Sequence, residues 1–92
     1  MKFEISKYSN EVKYCIMLEY FVFDYEIAEF LNLTLKEYRD ILFENGANVY
    51  KINEIELYFG GPESYFRTIK DAQKAIDKLE GYLIMKTLTE DI

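Results

Sequence analysis

The spacing of apolar residues changes several times along this chain, and each change predicts an element. Met1 to Ser6 is short and reads as a small edge strand or an extended arm. Apolar residues then crowd together at Val12, Cys15, Ile16, Met17, Leu18 and Tyr20. That crowding predicts a helix over about Glu11 to Phe21, apolar on more than one face, so that it is either central to the core or turned in part toward a partner, and capped by Ser9 or Asn10, whose side-chain oxygens can accept from an early free amide. Asp24 is positioned to cap a second helix, Tyr25 to Leu31. Asn32 follows it, and asparagine tolerates the left-handed backbone that closes a helix. Thr34-Leu35-Lys36-Glu37 forms a capping box for a third helix with a buried stripe of Leu35, Tyr38, Ile41 and Leu42, ended by Asn45-Gly46.

Beyond Gly46 the period falls to two. A turn at Asn53-Glu54 sets Ile52 opposite Ile55, Tyr50 opposite Leu57 and Val49 opposite Tyr58. Tyr50, Ile52, Ile55, Leu57 and Phe59 then share one face, and Lys51 opposes Glu56 on the other. Gly60 to Glu63 is a loop signal, and Tyr65-Phe66-Arg67 can add a short strand. A second capping box, Thr68-Ile69-Lys70-Asp71, opens the last helix. Ile69, Ala72, Ile76, Leu79 and Leu83 repeat along it at helical spacing, Gly81 weakens it locally, and Tyr82, Ile84, Met85 and Leu88 put apolar surface off its stripe. The expected fold class is α+β, mainly helical: three helices with a helix-turn-helix-like pair, a β-hairpin wing and a long C-terminal helix. At 92 residues the chain is read as one domain, 1–92.

Composition narrows the function. Half of the residues are hydrophobic and 17% are aromatic, which excludes a disordered tail. The bias toward Ile, Lys, Tyr, Phe and Glu fits an AT-rich genome, such as that of a low-GC bacterium or its phage. The net charge of −6 opposes DNA binding, which draws on counterion release to Lys and Arg. It favours basic partners, although many acidic domains are acidic only for solubility. The chain has one cysteine and no histidine. It therefore has no internal disulfide, no typical zinc or copper ligand set, and no usual base for a cysteine nucleophile. Cys15, inside Tyr14-Cys15-Ile16-Met17-Leu18, reads as a core thiol. No phosphate loop, nucleophile elbow or metal box occurs, so neither an enzyme nor a cofactor is expected. No signal-peptide core opens the sequence, and the apolar run Tyr14 to Phe23 is broken by Glu19 and too short for a membrane span. A soluble, cytoplasmic protein is the expectation.

The order of elements resembles a winged helix-turn-helix over Asp24 to Phe59. Ala28 sits where that family keeps a small residue for helix approach, Asn32 at its turn, Leu33 and Thr34 at the following apolar and cap positions. Tyr38, Ile41 and Leu42 match its apolar anchors. The resemblance implies base reading from Leu35, Lys36, Glu37, Arg39 and Asp40, with Arg39 on guanine and Lys36 on phosphate. The charge there has the wrong sign for DNA. Glu37, Asp40 and Glu44 lie at i, i+3 and i+7 on one helix face, and Glu26 and Glu29 extend the acidity onto the preceding helix.

Three readings of Glu26, Glu29, Lys36, Glu37, Arg39, Asp40 and Glu44 follow. They form a solvated face with local ion pairs, an acidic face that binds a protein, or a DNA-reading surface. The segment Phe66 to Gly81 also looks like the last strand and helix of an RNA-recognition motif, but Ile55 to Gly60 lacks the basic, aromatic strand that fold needs. In size, acidity and its converted helix-turn-helix the chain resembles the small phage proteins that block host defence, anti-CRISPR proteins among them. That resemblance implies a non-enzymatic inhibitor whose carboxylates imitate DNA phosphates on a nuclease or effector complex with a basic nucleic-acid channel. A DNA-binding regulator and a homodimerising structural module are the alternatives.

Overall fold

A computed structural model of the chain describes residues 1–7, 13–49, 51–52, 55–56 and 64–90. The architecture is α+β and mainly helical. Two strands, β1 (Phe3–Lys7) and β2 (Tyr14–Leu18), come first. Helices α1 (Asp24–Phe30) and α2 (Leu35–Glu44) follow, joined by a short turn. Four two-residue strands come next: β3 (Asn48–Val49), β4 (Lys51–Ile52), β5 (Ile55–Glu56) and β6 (Ser64–Tyr65). The 22-residue helix α3 (Ile69–Glu90) closes the order.

The helix expected over Glu11 to Phe21 is not formed: Tyr14–Leu18 is a strand. It pairs antiparallel with β1 in the register Phe3↔Leu18, Ile5↔Ile16, Lys7↔Tyr14. On its other side Tyr14 and Phe66 exchange two main-chain hydrogen bonds, each of 2.7 Å. A strand flanked on both edges and covered on both faces needs apolar residues at every position, and such a run has no period that separates it from a buried helix. Cys15, Ile16 and Leu18 are all buried, although adjacent Cys15 and Ile16 point to opposite faces of the sheet. A tight turn then reverses the chain. Leu18 and Phe21 bond each other across it, and Glu19 takes the left-handed backbone at φ 52. Its carboxylate accepts from the Lys2 main-chain N–H at 3.1 Å and ties the turn to the N-terminus. The suggested caps Ser9 and Asn10 lie outside the described residues.

Local signals elsewhere translate directly. Thr34 Oγ1 accepts from the Glu37 amide, and the Glu37 carboxylate accepts from the Thr34 amide, both at 3.0 Å. Asn32 has φ 61, and Leu33 N–H reaches back to the Ala28 carbonyl at 2.9 Å. Gly46, at φ +94, lets Ala47 N–H return to the Leu42 carbonyl and close α2. Thr68 Oγ1 accepts from the Asp71 amide to open α3.

The hairpin β4–β5 has the expected register, Lys51↔Glu56 and Ile52↔Ile55. Val49 pairs with Ser64 of β6, and its expected partner Tyr58 lies outside the described residues. The outer rungs at Tyr50, Leu57, Tyr58 and Phe59, and the loop Gly60 to Glu63, lie outside the described residues.

The core lies where the first half of α3 crosses the β1–β2 hairpin and meets the α1–α2 pair. Leu18, Ile27, Ala28, Tyr38, Leu42, Phe66, Ala72, Ala75, Ile76 and Leu79 fill it. The alanines on α3 and Ala28 on α1 keep the layers close. Beyond Leu79 the helix runs past this core, and Tyr82, Ile84, Met85 and Leu88 are exposed. No helix among the described residues is long and apolar enough to cross a membrane.

Candidate functional site

The residues singled out on α1 and α2 divide into an inward group and an outward group. Asp24 is not a cap. Phe23 holds the cap position with extended backbone, and Asp24, the first helical residue, turns its side chain into the protein. One of its carboxylate oxygens accepts from Arg39 Nε at 3.2 Å and from Ser64 Oγ at 2.5 Å. The Arg39 and Asp24 side chains are only 12% and 5% exposed. This cluster fastens α1, α2 and β6 together.

Burial pushes the Asp24 carboxyl above the ordinary aspartate value, against the opposing pull of Ser64 and Arg39. Burial, followed by the nearby Asp24 charge, pushes the Cys15 thiol up to about 12, with Lys13 opposing. Burial pushes the Tyr38 phenol well up too, and Asp24 and Cys15 add to it. Cys15 is therefore a protonated thiol at neutral pH, unlike an activated nucleophile, which needs a depressed pKa. Among the described residues, no group of acidic, cysteine or histidine side chains could hold a metal ion.

Arg39 thus sits apart from the outward residues. Sequence spacing had placed it beside Lys36 and Asp40 on a reading surface, and the structure places its head group in an interior ion pair. The outward set is Lys36, Glu37, Asp40 and Glu44 on α2, with Glu29 on α1; all are exposed, and Glu26 is half-buried. Lys36 Nζ donates to Asp40 at 2.7 Å, one helical turn away. Glu44 approaches Lys78 of α3 at 3.9 Å, with both side chains well exposed. Pairs of this kind contribute little to stability and leave both charges accessible to a partner. Hydrogen bonding to Thr34, from its main-chain N–H first and its side chain second, holds the Glu37 carboxyl below its ordinary value, so it remains an anion. Glu26 reaches back to the Phe23 amide at 3.3 Å. Among the described residues no hydrogen bond or ion pair holds the Glu29 carboxylate.

Two features of the site were not foreseen. The first is the Asp24–Arg39–Ser64 cluster, whose members lie 15 and 40 positions apart in the chain and carry no local signal. The second is an open groove of about 460 Å³ lined by Phe21, Tyr25, Glu26, Glu29, Phe30 and Lys86. The rings of Phe21 and Phe30 lie 5.4 Å apart, and Phe23 stacks on Tyr25 at 5.8 Å. Lys86, from the distal part of α3, places its Nζ 3.6 Å from the Phe30 ring centroid and donates to the Phe30 carbonyl. The spacing of Tyr25 with Glu29, and of Glu26 with Phe30, is i, i+4. That was legible as two adjoining stripes on one helix, but the closing wall from α3 was not. Compared with protein-family models, curated proteins and solved structures, the chain has no match.

Proposed function

We propose that this chain is a non-catalytic protein-binding inhibitor or adaptor, and that its partner presents a basic surface of the kind that lines nucleic-acid channels. Inhibition of a nucleic-acid-targeting defence nuclease, in the manner of phage anti-defence proteins, is the specific form of this reading. One observation carries it: Arg39 is withdrawn into the Asp24 pair. The face of α1 and α2 that would meet DNA thus offers Glu26, Glu29, Glu37, Asp40 and Glu44, with Lys36 held by Asp40. Carboxylates facing phosphate repel it, whereas carboxylates spaced along a helix can occupy positions that phosphates take on a basic protein. A DNA-binding regulator would need a guanidinium where this protein has none to spare.

The test is capture of partners on immobilised protein from lysate of a low-GC bacterium, with and without competing duplex DNA. A nucleic-acid enzyme that is retained, and that DNA displaces, supports the reading. The combined variant Glu37→Gln, Asp40→Asn, Glu44→Gln is expected to lose that partner. Glutamine at position 37 keeps the capping geometry, so unchanged helical circular dichroism separates lost charge from lost fold. Retention of DNA itself by the bait, or full capture by the neutralised variant, overturns the reading.

A second reading, a self-associating module, is favoured by the distal part of α3. Ile84, Met85 and Leu88 are each more than half exposed there. Sedimentation that shifts with concentration, and ceases to shift in Met85→Glu, supports it. A monomer at every concentration rules it out.

A further inference from the structure

We propose that the groove between α1 and the distal part of α3 is a receptor for an arginine side chain of the partner protein. This rests on the protein-binding reading above and names the chemistry of its anchor point. The walls of the groove are aromatic: Phe21, Tyr25 and Phe30. Its rim carries Glu26 and Glu29, one turn along α1 from Phe30 and from Tyr25 respectively. Aromatic faces attract cations, and a planar guanidinium can stack on a ring while its edge donates to a carboxylate. Arginine is thus the side chain that uses both kinds of wall at once.

The protein itself shows that the groove accepts a cation. The Lys86 ammonium lies over the Phe30 ring and on the Phe30 carbonyl. Its charge is also answered by Glu90, at 3.7 Å. The other side of the groove holds Tyr25, which stacks on Phe23, and Glu29. Tyr25 is 51% exposed, and the Glu29 carboxylate has no hydrogen bond or ion pair among the described residues. An interior cation on one wall and an unpaired carboxylate beside an exposed ring on the other describe a subsite with room for a second positive group. The overall net charge of −6 would steer a basic partner toward it.

The experiment is a nuclear magnetic resonance titration with a tri-arginine peptide, with the tri-citrulline peptide as a neutral control of the same shape. Saturable shifts at Tyr25, Glu29 and Phe30 are expected with arginine and not with citrulline. Tyr25→Ala and Glu29→Gln, both at exposed positions, are each expected to weaken binding roughly tenfold. Shifts scattered over carboxylates around the whole surface, or an affinity that neither variant changes, overturn the proposal. Capture separates the two levels. A partner retained equally by wild type and by the Tyr25→Ala, Glu29→Gln double variant removes the arginine subsite and leaves the protein-binding reading standing. Tri-arginine binding in the groove with no protein captured removes the reading and leaves the subsite.

Discussion

At the scale of single residues, Asp24 governs more of this molecule than any other charged side chain described. Its carboxylate joins Arg39 and Ser64 across three elements. Removing one member of a buried, hydrogen-bonded ion pair is costly, because the groups that shared it lose that partner. Asp24→Ala is therefore expected to destabilise the fold by about 3 kcal/mol in chemical denaturation. Asp24→Ala combined with Arg39→Met is expected to cost less than the sum of the two single substitutions, because the two side chains contact each other. The raised carboxyl of Asp24 also sets the sign of a pH effect. In the folded state this group keeps its proton at a pH where the unfolded chain has lost it. Its contribution is present in full below the ordinary value of 3.8 and is lost as pH rises through the higher folded value. Denaturation across that window should show wild type losing stability relative to Asp24→Asn as pH rises. Glu37 runs the other way: its lowered carboxyl supports the fold above the ordinary carboxylate range and ceases to do so in acid.

At the scale of elements, the helices are held at their ends by signals three or four residues long. Thr34→Ala removes one half of a reciprocal cap and is expected to cost about 1 kcal/mol of stability, read as a lower denaturation midpoint. In α3, Gly81 has open space where a Cβ would go and needs no unusual backbone. Gly81→Ala should raise the thermal midpoint, with a gain of about 1 kcal/mol from helix propensity. The Thr34 capping box, the Thr68 cap, Asn32 and Gly46 were legible because each satisfies its own hydrogen bonds within one turn. The strand at Tyr14–Leu18 was not, because its identity depends on β1 along one edge and Phe66 along the other. Seen alone, five consecutive apolar residues suit a buried strand as well as a buried helix. The pairing of Val49 with Ser64 was not legible for the same reason: alternation sets which face a side chain takes, and it does not choose the partner strand.

At the scale of the molecule, stability is graded along α3. Its first half carries Ala72, Ala75, Ile76 and Leu79 in the core, while its distal part is tied down by Leu83 and by Lys86 at Phe30. Amide exchange should follow that gradient. Amides of residues 75–79 are expected to be the slowest in the helix, and those of residues 84–90 to exchange orders of magnitude faster. Equal protection over the whole helix in dilute solution would mean that its distal face is covered, and would favour self-association. The exposed carboxylates of α1 and α2 lie on the better anchored part of the fold, so a partner would meet them already ordered.

The sequence by itself determined the short-range features: the bounds of α2, the start of α3, the inner register of the β4–β5 hairpin, the burial of Cys15, and the acidity of the α1–α2 face. Each follows from interactions within about four residues, or from a charge count that folding does not alter. The tertiary structure alone decided that Tyr14–Leu18 is a strand, that Asp24 is an interior anchor, that Arg39 faces inward, and that Tyr25 and Glu29 share a groove with Lys86. Each of these depends on which distant segment supplies the partner. A side chain such as Arg39 is compatible with water, phosphate or a buried carboxylate until the chain brings one of them within hydrogen-bonding distance.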